Sequence, residues 1–197
     1  MIAIVDYGSS NLTSVIKAFR AAGADPRIVR AADGLRGAAG IVVPGVGHFE
    51  ATRAIDTRMR SSLRDAVDRG VPLLGICLGM QWLYAGSDEA PGLEGLGLFD
   101  AHVVRLRGAV KVPHVGWNTL EALKSSPLLE GVAEGSAVYF THSYAAPAGA
   151  GTLATTEHGV PFAAIVERGH VAGMQFHPEK SGAIGLVLLR NWVSRAL

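Results

Sequence analysis

The chain has 197 residues, of which 49% are apolar and 18% charged, so it can bury the core of one domain spanning residues 1–197. A net charge of +1 without a block of like charges gives no indication of a nucleic-acid or membrane partner. One cysteine excludes an internal disulfide, no apolar stretch approaches the roughly 20 residues that span a bilayer, and the start lacks a signal-peptide pattern. We therefore expect a cytoplasmic protein.

Strand and helix patterns alternate in the first half of the chain. Apolar runs predict buried strands at 2–5, 27–30, 40–47 and 71–76. Apolar residues at helical spacing predict helices at 12–22, 54–67 and 78–85. The glycine-rich stretch at 86–97 is predicted to be a loop, because it lacks the strand before and the helix after that a dinucleotide-binding fingerprint requires.

The second half contains mainly short strand patterns and one final helix. Strands are predicted at 102–106, 110–112, 137–140, 152–156, 162–167 and 170–176, with a hairpin turn at Arg168-Gly169. The helix is predicted over 183–196. The whole pattern indicates a three-layer α/β fold with a mostly parallel sheet and an added antiparallel β section. In such sheets the functional residues collect beyond the carboxyl ends of the strands.

The single cysteine lies between two glycines, where the strand at 71–76 gives way to the helix beginning at Leu78. A Gly-x-nucleophile-x-Gly turn strains its central residue and lifts that side chain above the sheet. The positive end of the following helix favours a thiolate over a thiol. Cys77 is therefore predicted to be a nucleophile. The alternative is that Cys77 is an ordinary buried residue, as free cysteines often are.

A thiolate nucleophile needs a histidine, and His177 is the candidate because a carboxylate follows two residues later at Glu179. Pro178 favours an extended backbone at His177, and in an extended chain residues i and i+2 face the same way. Glu179 can then orient the imidazole as the third member of a triad. The alternative is a solvated His-Pro-Glu at the end of a hairpin.

Acyl transfer also needs hydrogen-bond donors for an oxyanion. The backbone N–H of Leu78 is the expected first donor, and the glycine-rich turn at 44–47 could supply the second or be an ordinary end of a strand. The histidines are scattered without metal-ligand spacing, so no metal is predicted.

The runs Gly-Ile-Cys-Leu-Gly-Met-Gln at 75–81 and Phe-His-Pro-Glu at 176–179 together resemble the class I glutamine amidotransferases. This resemblance implies the flavodoxin-like fold of their triad-type glutaminase domains. Within that family, further strings resemble the glutaminase subunits of imidazole glycerol phosphate synthases, and they lie in collinear order at 6–8, 11–12, 44–49, 116–118, 139–144 and 177–181.

The resemblance implies that the protein hydrolyses glutamine to glutamate and ammonia without a cofactor. Cys77 would form a γ-glutamyl thioester, and His177 would protonate the departing ammonia and then activate water. The ammonia would pass to a separate cyclase subunit of TIM-barrel fold in a heterodimer. That subunit would make imidazole glycerol phosphate and an aminoimidazole carboxamide ribotide in histidine biosynthesis.

Carried over residue by residue, the resemblance also implies three further sets of site residues. The oxyanion site would consist of Gly45, Val46 and Leu78. The glutamine contacts would be Gln81, Glu89, Ser143 and Tyr144. The docking face for the cyclase would include Asn11, Trp117, Tyr139 and Lys180, although Trp117 as a core residue and Lys180 as a solvated charge are alternatives.

Members of this family have low activity before the partner binds its own substrate. A peptide between Gly45 and Val46 that is turned the wrong way would explain this, so we expect the Val46 N–H to point away from the site when no ligand is bound.

Two other functions stay open at this point. The chain could be the amidotransferase subunit of another synthase, serving anthranilate, aminodeoxychorismate or pyridoxal phosphate synthesis. The turn at 6–8 and the Gly-Trp-Asn string at 116–118 favour the imidazole branch. A non-catalytic binding protein on the same fold is the alternative of another class, but such a protein would be expected to have lost Cys77, His177 or Glu179.

Overall fold

A computed structural model describes residues 1–9 and 11–197. The helices within these residues are α1 (Leu12–Ala21), α2 (Thr57–Asp68), α3 (Leu78–Trp82) and α4 (Gly182–Ala196). The strands are β1 (Ile2–Val5), β2 (Pro26–Val29), β3 (Gly40–Gly45), β4 (Leu73–Cys77), β5 (Tyr84–Ser87), β6 (Phe99–Arg105), β7 (His114–Thr119), β8 (Ala137–His142), β9 (Tyr144–Ala145), β10 (Thr152–His158), β11 (Val160–Arg168) and β12 (Val171–Met174).

The main sheet has seven strands in the order β10-β11-β12-β4-β3-β1-β2. The five strands from β12 to β2 run parallel, and β11 pairs antiparallel with both β12 and β10. Every residue of β1, β3, β4 and β12 is buried, as expected for parallel strands covered by helices on both faces. The predicted mostly parallel sheet with an antiparallel section is confirmed.

Two apolar clusters fill the space on the two faces of this sheet. On one face α1 and α4 pack together, with the rings of Phe19 and Trp192 in an edge-to-face contact 5.8 Å apart. On the other face Met59 and Leu63 of α2 pack with Trp82 of α3 against the sheet. The result is the predicted three-layer arrangement. No helix in the described parts of the chain is long and apolar enough to cross a membrane.

The structure differs from the predicted elements in three places. The predicted strand at 110–112 was wrong, because this segment is irregular and the strand starts later, at β7. Helix α3 is shorter than predicted, since the chain turns after Trp82 into β5. The hairpin turn predicted at Arg168-Gly169 lies one residue later, at Gly169 and His170, because Arg168 still pairs with Val171 at the end of β11. Gly169 takes a left-handed φ of 61° that suits glycine.

The strand pairing brings the candidate motifs together at the carboxyl ends of the parallel strands. The register of β3 with β4 ends at the pair Gly45 and Cys77, and that of β12 with β4 ends at the pair Met174 and Ile76. The chain therefore leaves all three parallel strands at the same edge, where binding sites of open α/β sheets lie.

Candidate active site

Cys77 occupies a strained turn between β4 and α3, with φ at 52° and ψ at −109°. Few residues other than glycine adopt a positive φ, and strain of this kind concentrates at functional sites. The flanking glycines allow close packing: a Cβ at Gly75 would lie 2.7 Å from backbone atoms of Met80, and one at Gly79 would lie 1.7 Å from the carbonyl oxygen of Val43. This is the geometry predicted for a nucleophile turn.

His177 and Glu179 form a buried pair beside this turn. The two side chains are 2% and 4% exposed, and Nδ1 of His177 lies 2.7 Å from Oε1 of Glu179. The expected extended backbone holds only for His177, since Glu179 lies in a short 3₁₀ turn, Pro178–Lys180. Because β12 is paired with β4, the segment that follows β12 carries His177 to the vicinity of Cys77.

The side chains beside His177 determine its protonation state. Burial by itself lowers the pKa of the imidazole, but contact with Cys77 and Glu179 and their negative charges outweigh it and raise the pKa to about 10. Nε2 has no partner within ordinary hydrogen-bond limits among the residues described, although its contact with Cys77 is the largest of the effects that raise the pKa. A protonated imidazole with a free Nε2–H can give its proton to a leaving group.

A narrow cavity of about 30 Å³ opens at the Cys77 turn. It is lined by Gly47, Cys77, Leu78, Gln81, Glu89, Thr141, His142, Ser143 and Tyr144. The structure thus brings together the expected nucleophile, the first expected oxyanion donor and all four expected glutamine contacts. A larger cavity of about 330 Å³ lies elsewhere, around Tyr84 and Phe99, and contains none of the predicted site residues.

Two of the expected substrate contacts already have protein partners. Oε2 of Glu89 accepts a hydrogen bond from the backbone N–H of Phe49 at 2.8 Å, which fixes the carboxylate at the wall of the cavity. The amide nitrogen of Gln81 donates to the carbonyl oxygen of Tyr144 at 2.8 Å. An anionic group and an amide held in this way can bind the ammonium and polar ends of an amino acid.

The turn at 44–47 borders the Cys77 cavity through Gly47, and its other residues lie beside the His177–Glu179 pair. The Val46 N–H donates to the carbonyl oxygen of Ser9 at 2.7 Å, and the Ser9 hydroxyl donates to the carbonyl oxygen of Val46. Gly45 is crowded, because a Cβ there would lie 2.0 Å from the hydroxyl of Tyr7, which is buried and has no hydrogen-bond partner in residues 1–9 and 11–197.

The expected docking residues lie at the surface. Trp117 is 59% exposed, which excludes a core role, and its ring meets that of Tyr139 edge-to-face at 6.0 Å. Nζ of Lys180 lies 6.0 Å from the centre of the Tyr139 ring. Asn11 is exposed directly before α1.

Sequence reasoning missed two buried polar residues at the site, Gln175 and His142. Gln175 is fully buried, and its amide nitrogen lies 3.8 Å from the sulfur of Cys77. His142 lines the cavity and hydrogen-bonds the Tyr144 carbonyl at 2.9 Å. The sequence contained one indication of their role, namely that both residues lie close to predicted site residues. Gln175 lies two residues before His177, and His142 directly precedes Ser143. Among the residues described, no group of three His, Cys, Asp or Glu side chains is placed to hold a metal ion.

Solved structures of the same fold were found at low sequence identity. One titled as a glutamine amidotransferase has a TM-score of 0.78 at 22% identity and covers 100% of this chain and 99% of its own. A putative GMP synthase subunit from Thermoplasma acidophilum has a TM-score of 0.73 at 23% identity, with 99% and 92% covered. These likenesses bear on the fold alone, and they agree with the flavodoxin-like architecture.

Sequence relatives match over almost the whole chain. Imidazole glycerol phosphate synthase subunit HisH of Methanothermobacter thermautotrophicus is 46% identical over 200 residues, covering 98% of this chain and 98% of its own. The protein of the same name from Geobacillus kaustophilus is 46% identical over 206 residues, covering 100% and 97%. A family model described as glutamine amidotransferase class-I matches residues 3–195. The chain therefore belongs to the class I glutamine amidotransferase family.

Proposed function

We propose that this protein is the glutaminase subunit of an imidazole glycerol phosphate synthase, in which Cys77, His177 and Glu179 are the catalytic residues. The observation that carries the catalytic part is the buried His177–Glu179 pair beside the strained Cys77 turn. The name shared by two relatives that are 46% identical over 98% and 97% of their own length supports the particular synthase.

In the first half of the reaction, the Cys77 thiolate attacks the carbonyl carbon of the glutamine side-chain amide. A carbon–sulfur bond forms, and the negative charge moves to the amide oxygen. The N–H of Leu78 is proposed to stabilise this oxyanion, which is supported by the place of Leu78 at the start of α3 and in the lining of the cavity. When the tetrahedral intermediate collapses, the carbon–nitrogen bond breaks and Nε2 of His177 protonates the nitrogen, which leaves as ammonia.

In the second half, the now neutral His177 removes a proton from water as the water oxygen attacks the thioester carbonyl. Collapse of this second intermediate breaks the carbon–sulfur bond, releases glutamate and restores the thiolate and the imidazolium. Glu179 holds Nδ1–H throughout and so keeps Nε2 directed towards the reaction.

The second oxyanion donor, the Val46 N–H, is engaged by Ser9 and thus unavailable to a substrate in this arrangement. This supports the hypothesis that the free subunit is held in a weakly active state. Rotation of the peptide between Gly45 and Val46 would break the bond to Ser9 and turn the N–H towards the oxyanion. Glycine at position 45 lowers the cost of such a rotation.

The partner is proposed to be a cyclase subunit of TIM-barrel fold that docks on the face formed by Asn11, Trp117, Tyr139 and Lys180. The exposed ring of Trp117 meets the half-buried ring of Tyr139, and tryptophan and tyrosine are residue types that dominate binding at protein interfaces. Lys180 lies over the Tyr139 ring and adds a positive charge to this face. The face lies close to the catalytic pair, since the His177 N–H donates to the Tyr139 carbonyl at 2.9 Å.

Glutamate release tests the proposed function directly. Wild type and Cys77→Ser are assayed alone, with the candidate cyclase, and with the cyclase and its ribonucleotide substrate. We expect turnover that rises with the partner and its substrate, and a loss of about 10³-fold or more in Cys77→Ser, because the hydroxyl is a far weaker nucleophile than the thiolate. Absence of any Cys77-dependent glutamate, or stimulation by anthranilate synthase instead, would reject this assignment.

Trp117→Ala should weaken binding of the cyclase by about 30-fold or more, because truncating a central aromatic residue of an interface costs about 2 kcal/mol or more. Affinity is measured by calorimetry with the purified cyclase. Ile28→Ala is the matched control, since Ile28 is also an exposed large apolar side chain. It lies on β2, an edge strand of the main sheet, whereas Trp117 lies on β7 of the separate two-stranded sheet. Equal affinities for the two variants would place the docking face elsewhere.

A further inference from the structure

Gln175 is a fully buried polar residue to which the mechanism above gives no role. It follows β12, and its backbone N–H donates to the carbonyl oxygen of Ala164 at 2.9 Å, which fixes the main chain. Its side-chain nitrogen lies 3.8 Å from the sulfur of Cys77. Burial of a polar amide is costly unless its groups find partners, so its orientation is informative.

The orientation of the Gln175 amide follows from a backbone carbonyl. The side-chain nitrogen of Gln81 donates to the Tyr144 carbonyl at 2.8 Å and to Oε1 of Gln175 at 3.2 Å. A carbonyl oxygen can only accept, so the group of Gln81 that faces it is the NH₂. The atom of Gln175 that meets this NH₂ is then its oxygen. The NH₂ of Gln175 is consequently the end that faces Cys77.

The Tyr144 carbonyl is itself held on a second side by a chain of polar residues. Nδ1 of His142 donates to it at 2.9 Å, Nε2 of His142 accepts from Nδ1 of His114 at 3.1 Å, and Nε2 of His114 accepts from Asn118 at 3.2 Å. Burial lowers the pKa of His142 to about 3 and that of His114 to about 4, so both rings are neutral and each offers one donor and one acceptor. Each donor in this series of hydrogen bonds, from Asn118 through His114 to His142, therefore points towards the Tyr144 carbonyl.

We propose that Gln175 is a further catalytic residue, which donates a hydrogen bond to the sulfur of Cys77 when the sulfur is negatively charged. The neutral thiol has another partner, since its S–H lies 3.9 Å from the Thr141 carbonyl and can donate there. A thiolate can only accept, and an N–H donor to a charged acceptor forms a stronger bond than one to a neutral acceptor. The role rests on the proposed glutaminase function, in which Cys77 reacts as the thiolate.

Alkylation of the protein by iodoacetamide as a function of pH tests this role, because Cys77 is the single cysteine of the chain and only its thiolate reacts. Gln175→Glu keeps the oxygen that meets Gln81 but replaces the NH₂ by a carboxylate oxygen. Gln175→Met removes the donor without adding charge. We expect the midpoint of the alkylation profile to move to higher pH by about one unit in Gln175→Met, and further in Gln175→Glu.

Asn191→Asp is the matched control, because it makes the same amide-to-carboxylate change on α4, where the amide contacts the carbonyls of Leu128 and Glu130. Its profile should coincide with that of wild type. Folded Gln175 variants with unshifted profiles, or an equal shift in Asn191→Asp, would overturn the proposal. Circular dichroism establishes which variants fold.

A measurement on the unaltered site covers the case in which both Gln175 variants misfold. The side-chain amide nitrogen resonance of Gln175, one of two glutamines in the chain, should titrate together with the thiol and lose this titration in Cys77→Ala. A chemical shift of the Gln175 amide nitrogen that stays constant while Cys77 ionises would overturn the proposal. Neither experiment uses glutamine or the partner. A failed glutaminase assay would therefore reject the proposed function, while the alkylation and resonance measurements would still test the hydrogen bond from Gln175 to Cys77.

Discussion

Replacing Gly79 by alanine is expected to prevent the chain from reaching a stable native fold. The added Cβ would lie 1.7 Å from the carbonyl oxygen of Val43, which belongs to β3. A flexible side chain could move aside, but Val43 is a backbone partner in the register between β3 and β4, so relief would require opening the centre of the sheet. A loss of more than about 4 kcal/mol of unfolding free energy is therefore expected.

The yield of soluble protein and the thermal unfolding curve measure this loss. Gly149→Ala is the matched control, since a Cβ at Gly149 meets no atom within 4 Å and its backbone is not in the left-handed region. It should unfold at nearly the wild-type temperature. A Gly79→Ala protein with a wild-type melting temperature would contradict the close approach between α3 and β3.

Glu179→Gln should lower the kcat of partner-stimulated glutamine hydrolysis by about 10³-fold or more while leaving KM for glutamine nearly unchanged. The amide can still contact Nδ1, but it no longer stabilises the protonated ring or fixes which nitrogen carries the proton, and the loss resembles that of an aspartate-to-asparagine change in a serine-protease triad. KM is spared because Glu179 does not line the cavity beside Cys77.

Steady-state glutamate production by the complex gives both constants. Glu94→Gln provides the comparison, because Glu94 is exposed and lies outside the cavity beside Cys77. It should behave as wild type. If Glu179→Gln retained wild-type kcat, the carboxylate would be a structural partner of His177 and the catalytic group would be reduced to Cys77 and His177.

The parts of the site that follow from local sequence were predictable. A cysteine between two close-packed glycines at a strand–helix junction has few structural uses, and the His-Pro-Glu run places an imidazole beside a carboxylate within three residues. The buried parallel strands were equally clear, because apolar runs bounded by glycine and proline have little other interpretation. The structure places Cys77 and the buried His177–Glu179 pair at neighbouring strand ends.

The parts that depend on distant contacts were not predictable. The bond between Ser9 and Val46 joins segments 37 residues apart, and nothing in either segment announces the other. Gln175 belongs to the strand pattern predicted at 170–176, in which a polar residue is interpreted as an interruption of the core, and His142 lies just beyond the strand predicted at 137–140. Their partners become evident only once β8 and β12 are placed beside the Cys77 turn.

The hydrogen bond from the Val46 N–H to the Ser9 carbonyl limits how inactive the free subunit can be. The Ser9 hydroxyl bonds the Val46 carbonyl, which belongs to the next peptide, so that bond does not oppose rotation of the peptide between Gly45 and Val46. At a net worth of about 1 kcal/mol, the N–H bond holds back the alternative peptide orientation by a factor of about 5. If the rotated peptide completes the oxyanion site, about 15% of free molecules would have an open site at any moment, and each would leak ammonia to solvent. A partner need contribute only about 1 kcal/mol of differential binding to cancel this bias, a small fraction of what a protein interface supplies.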